Sequence, residues 1–158
     1  MTKFKLDAVW WLVSPGNPLK GELKGDLDRR MDLVRAFIKD QPKMAASDLE
    51  DQMGTRYTYD TVRQLVAHFP ETRFLWIAGM DNAEHFDQWQ NWQELPRMIP
   101  FAFFERPPGN AKAQSEKLRN NNKIEQFFEV NSMDLGIHWV MDDTAMDISS
   151  TALRQKGQ

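Results

Sequence analysis

Cysteine is absent from these 158 residues. That removes disulfides and thiolate metal ligands together. Histidine is scarce: the three residues, His68, His85 and His138, are scattered along the chain. Neither sign of charge dominates, with 20 Lys and Arg against 23 Asp and Glu and a net charge of −3. No global basic field therefore exists to draw in nucleic acid or an anionic membrane, although a local phosphate pocket remains compatible with that value. No apolar run reaches the roughly 18 residues a membrane helix needs. The first residues, MTKFKLDAVWW, hold two lysines but no long apolar segment and no small-residue cleavage site. They do not read as a signal peptide, and the cytoplasm is the expected compartment. No internal repeat is visible. What is present in quantity is apolar side chain, 41% of the chain, including six tryptophans. At this length the expectation is one domain, 1–158, able to bury a real core.

Short apolar runs and helical periods alternate. Residues 7–13 (DAVWWLV) form a nearly continuous apolar run, which predicts a strand covered on both faces. A helix is expected over 28–39, where Met31, Val34, Phe37 and Ile38 recur at helical spacing, with Pro42 ending it. Residues 43–49 suggest a short strand. Thr58 reads as the N-cap of a helix to about residue 69, with Val62, Leu65, Val66 and Phe69 on one face. Strands are expected at 73–78, 99–104 and 137–141. A helix is expected over 86–95, cut by Pro96, and another from about residue 149. Residues 106–123 are polar and read as a surface loop plus part of a helix. This alternation predicts an α/β domain with a largely parallel sheet.

In such sheets ligands sit beyond the carboxyl ends of the strands, and the polar residues with chemical potential fall there. Lys20 can reach a phosphate or simply be solvated. Thr58, with Tyr59 beside it, either caps a helix or presents a hydroxyl, backbone N–H groups and a flat ring to a small anionic aromatic. Gly79 allows close approach of a ligand, and Asp81 accepts from a hydroxyl or caps a helix. Trp89 and Trp92 stand three apart, as two core residues or as one core residue and one stacking platform. Arg106 lies at a strand end before a rigid Pro-Pro-Gly turn. Ser149, Ser150 and Arg154 stand where a helix should begin, which suits either a plain cap or a phosphate held by N–H groups, hydroxyls and a guanidinium.

In chain order, WWLVSPGNPLK, GTRYTYDT, WIAGMDN, FDQWQNW, ERPPG and ISSTALR resemble the blocks of bacterial nicotinate-nucleotide adenylyltransferases over about residues 6–155. ISSTxxR is shared with other nucleotidyltransferases; YTxDT with the GxD and FxxW blocks points to the nicotinate enzymes. The resemblance implies a Rossmann-like nucleotidyltransferase fold, a parallel sheet with flanking helices. It also implies adenylyl transfer from ATP to nicotinate mononucleotide, giving deamido-NAD and pyrophosphate with Mg²⁺. By position, it implies Lys20 near the phosphates, Thr58 and Tyr59 on the nicotinate carboxylate, and Trp89 on the pyridine ring. Gly79 and Asp81 fall beside the nucleotide ribose, Arg106 near adenine and ribose, and Ser149, Ser150 and Arg154 at the ATP phosphates.

One departure is large. The family's glycine-rich GGxFDPxHxGH segment is not in these 158 residues, and no histidine here lies in an HxGH pattern. The expectation is therefore a sheet lacking its first, central strand, an N-terminally shortened domain, and impaired activity with no catalytic histidine to assign. A smaller departure is the Pro-Pro-Gly after Arg106, where Arg-Pro-Gly is usual. Two alternatives stay open: a non-catalytic nucleotide-binding remnant, and transfer to another acceptor such as phosphopantetheine.

Overall fold

The computed structural model describes residues 5–15, 27–104 and 134–140. The chain divides into two compact units, Met1–Phe69 and Pro70–Gln158.

In the first unit, strand β1 (Val9–Leu12) is followed by helix α1 (Leu27–Ile38) and strand β2 (Met44–Ser47). The strands pair in parallel, Val9 opposite Met44 and Leu12 opposite Ser47. The ladder is closed at each end by bonds from Val9 N–H to the Lys43 carbonyl and from Val13 N–H to the Ser47 carbonyl, both 2.8 Å. Parallel pairing requires a crossover, and α1 supplies it, turning Met31 and Ile38 inward. Asp28 in its first turn and Arg35 in its last suit the helix dipole. Two short helices follow, α2 (Leu49–Gln52) and α3 (Thr58–His68). The buried residues of α3 are Thr61, Val62 and Leu65, a stripe at helical spacing.

Two expectations change in this unit. The strand expected over 43–49 stops at Ser47, because the Ser47 hydroxyl takes the Leu49 N–H at 3.3 Å and starts α2. Nor is β1 covered on both faces: Trp10 and Trp11 are 42% and 40% exposed. Each indole instead lays an edge-on contact of 5.7 Å against one ring, Trp10 on Phe69 and Trp11 on Phe37.

In the second unit, strands β3 (Trp76–Gly79), β4 (Phe101–Phe104) and β5 (Ile137–Val140) form a parallel sheet in the order β3-β4-β5. Trp76 and Ile137 both stand opposite Phe101. Helix α4 (Met80–Ala83), a 3-10 turn (Phe86–Gln88) and helix α5 (Leu95–Met98) connect β3 to β4. The central strand carries Phe101, Ala102 and Phe103 in full burial, as the unbroken apolar run predicts for a strand with neighbours on both edges. Phe86, also fully buried, meets Phe101 at 5.4 Å and Phe103 at 5.3 Å between ring centroids. Phe103 in turn stacks on Trp139 at 5.5 Å. Buried His138 holds its Nε2 2.8 Å from the Asp134 carbonyl.

The helix expected over 86–95 is not formed. After the 3-10 turn, Trp89 is extended (φ −73°, ψ 143°) and Asn91 is left-handed (φ 49°), a conformation asparagine tolerates better than most residues. Pro96 does not cut a helix; it stands in the first turn of α5, where a missing N–H costs nothing.

Candidate functional site

The described candidates lie on two loop systems, one in each unit. In the first, α2 is followed, one residue past its C-cap Met53, by Gly54, whose left-handed φ of +63° reverses the chain. Thr55 N–H then returns to the Glu50 carbonyl at 2.9 Å. Tyr57 follows in extended conformation (φ −115°, ψ 138°) and is the N-cap of α3. Its carbonyl accepts from Asp60 N–H at 3.0 Å and Thr61 N–H at 3.1 Å. Thr58 is therefore the first residue within the helix and not its cap, which corrects the expectation above. Tyr57 makes no side-chain capping bond. Thr58 and Tyr59, both half-buried, occupy the first turn of α3, at the positive end of the helix dipole. That combination suits a carboxylate or phosphate oxygen.

In the second unit, Gly79 is the last residue of β3 and the N-cap of α4. Its φ of −72° and ψ of 153° are open to any residue, so the backbone conformation does not demand glycine there. Asp81, exposed, stands in the first turn of α4. It is past the cap, so capping is not its role. Beside it, Asn82 Nδ2 donates to the Gly79 carbonyl at 3.4 Å. Trp89 and Trp92 are both half-buried, and both set an edge against Phe86, at 5.3 and 5.9 Å. They share a ring, not a helical face. Trp89 thus packs against the aromatic core through Phe86 and stays partly exposed.

Lys20, Arg106, Ser149, Ser150 and Arg154 lie outside the described residues. Among the described residues no group of three or more His, Asp or Glu side chains could hold a metal ion, and no helix is long and apolar enough to cross a membrane.

Sequence reasoning missed Glu50, Thr55 and Thr61, which join through side-chain hydrogen bonds beneath the start of α3. A signal was available. Ser47-Asp48-Leu49-Glu50 has the S-x-x-E spacing that marks a helix start, and the helix it starts places Glu50 inside. Burial pushes the Glu50 carboxyl above the usual carboxylate range, while bonds from the Ser14 and Thr61 hydroxyls pull the other way.

Parallel strands joined by helices, with the polar candidates in the connecting segments, define an α/β protein of the Rossmann-like type. The cytidylyltransferase-like family model matches residues 1–156. A protein of Cereibacter sphaeroides is 34% identical over the whole of this chain and 86% of its own length. One from a Ruegeria species is 40% identical over 72% of this chain and 60% of its own length. One from Roseobacter denitrificans is 43% identical over 68% of this chain and 53% of its own length. Each carries the name "Probable nicotinate-nucleotide adenylyltransferase". The chain belongs to the cytidylyltransferase-like family and, within it, to the nicotinate-nucleotide adenylyltransferases.

Proposed function

We propose that this protein serves NAD biosynthesis by transferring the adenylyl group of ATP to nicotinate mononucleotide. A phosphate oxygen of the mononucleotide attacks the α-phosphorus of ATP. The new P–O bond gives deamido-NAD, and the bond to the β-phosphate breaks to release pyrophosphate. No covalent enzyme intermediate is needed, so the protein's contribution is positioning and charge stabilisation. The observation that carries this reading is the 34% identity to an adenylyltransferase relative along the entire chain.

Each candidate then has a part. The N–H groups of Thr58 and Tyr59 receive the nicotinate carboxylate, and Trp89 stacks on the pyridine ring. Gly79 and Asp81 flank the ribose of ATP, with Arg106 towards adenine. Lys20, Ser149, Ser150 and Arg154 hold phosphate. Mg²⁺ is expected to arrive with the ATP phosphates, where it would neutralise phosphate charge. The compartment proposed is the cytoplasm.

A GGxFDPxHxGH segment would add preorganised donors to the charge that develops during transfer. Removing even one preorganised donor to developing charge costs roughly 10²–10³ in rate. Two measurements test the reading. The 158-residue chain should bind nicotinate mononucleotide with quenching of tryptophan emission, and Trp89→Ala should abolish most of that quenching. A chain extended at its start by a strand-loop-helix carrying GGxFDPxHxGH should form deamido-NAD at least about 100-fold faster than the chain alone. Absence of product from the extended chain would defeat the enzyme reading. A response to phosphopantetheine in place of the nicotinate nucleotide would move the substrate.

A further inference from the structure

The first unit buries few polar side chains, and three of them form one chain of hydrogen bonds. Glu50, in α2, is buried, as are Thr55 and Thr61. Thr55 Oγ1 and Thr61 Oγ1 are 2.8 Å apart, and Thr61 Oγ1 is 3.4 Å from Glu50 Oε1. Each hydroxyl has one proton to give. With an ionised carboxylate at the end, the chain therefore runs from Thr55 to Thr61 to Glu50. The Ser14 hydroxyl, two residues beyond β1, donates to the same carboxylate. The Ser14 backbone is itself held from α1: Arg30 Nη1 donates to the Ser14 carbonyl at 2.6 Å, and Nη2 to the Pro15 carbonyl at 3.3 Å. One carboxylate thus links the segment leaving β1 with the first turns of α3.

Between α2 and α3 the backbone has no regular structure over residues 53–57. Its path is set by the reversal at Gly54 and by the Thr55 N–H, which donates to the Glu50 carbonyl at 2.9 Å. Thr61 stands three residues after Thr58, about one helical turn on. Holding its hydroxyl fixes how the first turn of α3 is rotated about the helix axis, and so where the Thr58 and Tyr59 N–H groups point.

We propose that Glu50 is a positioning residue for the recognition of the nicotinate carboxylate: through Thr61 and Ser14 it aims the first turn of α3. This inference rests on the reading that this turn receives that carboxylate. A carboxylate and a neutral carboxamide differ most in their need for aimed N–H donors. Loss of aim should therefore weaken nicotinate mononucleotide more than nicotinamide mononucleotide.

The test is calorimetric binding of both mononucleotides to the full chain and to Glu50→Ala, Glu50→Gln and Thr61→Val. Glu50→Ala and Thr61→Val should weaken the nicotinate nucleotide by about tenfold, on the order of one charge-assisted hydrogen bond, and the nicotinamide nucleotide by less than about twofold. Glu50→Gln keeps a carbonyl oxygen for Thr61 and should stay within about twofold of the parent. If Glu50→Ala fails to fold, Thr61→Val carries the measurement, since valine preserves the shape of the buried side chain. Equal weakening of both nucleotides, or no change in either, would overturn the positioning role and leave the proposed reaction standing. Failure of the unsubstituted chain to bind nicotinate mononucleotide would remove the substrate reading first, and this inference with it.

Discussion

Strands β1 and β4 are alike as sequence and opposite as structure. VWWL and FAFF are each four apolar residues in an unbroken run. In β4, Phe101 and Phe103 are fully buried, while in β1 both tryptophans keep about two fifths of their surface exposed. The difference lies in the neighbours. β4 has a parallel partner on each edge and Phe86 against its phenylalanines. Among the described residues β1 pairs only with β2, which sets Ala45 opposite Trp10 and Ala46 opposite Trp11, side chains too small to cover an indole. An apolar run states a demand for burial; whether it is met depends on what the rest of the fold brings alongside.

Phe103→Ala should do the most damage, removing a fully buried ring from among Phe86, Phe101 and Trp139. A loss of about 3–5 kcal/mol is expected from denaturant unfolding. Trp11→Ala, at the matching place in the first unit, should cost less, about 2 kcal/mol, because two fifths of the residue is already in water. Similar costs for the two would erase the contrast between the strands. Amide exchange gives a finer reading: β4 protons should exchange at least about tenfold more slowly than those of β1, because a strand with one partner opens locally. Adding the GGxFDPxHxGH-bearing segment should slow exchange in β1 and leave β4 alone. If β1 does not respond, its exposure has another cause.

The smallest expected effect concerns pH. Burial raises the Glu50 carboxyl above its ordinary range. Between the ordinary value and the raised one, the folded chain retains a proton that the unfolded chain has already released. Stability from this group is complete below the ordinary carboxyl value and is lost as pH rises through the raised one. Glu50→Gln should lack that decline and be at least as stable as the parent at neutral pH. Parallel stability profiles for the two would show that the carboxyl is not desolvated as its burial indicates.

Much of the architecture was legible because it follows from local spacing. Of the four residues read as one face of α1, Met31 and Ile38 are buried while Phe37 is 74% exposed, and the strand expected over 99–104 is formed at Phe101–Phe104. Where reading failed, a distant partner or a backbone singularity decided the outcome. Trp89 and Trp92 look like one helical face, yet Asn91 turns left-handed and the two indoles close on Phe86 from an irregular loop. Thr58 looks like a cap, yet Tyr57 takes that place because its carbonyl accepts the first helical bonds. The blocks containing Thr58, Gly79, Asp81 and Trp89 were visible as motifs. Glu50 was visible only as the end of an S-x-x-E helix start, which shows nothing of the serine and threonines it will meet.

By itself the sequence determined an α/β chain without cysteine chemistry, with parallel strands and with the ordered motif blocks of its family. These depend on residue type and on spacing along the chain, which are written in one dimension. Only the tertiary structure decided that β4 is sealed while β1 is half-open, that Trp89 rests on Phe86, and that Glu50 joins Ser14 to Thr61. Such outcomes depend on residues 11 and 36 positions apart meeting across a fold, and on how much water is left between them.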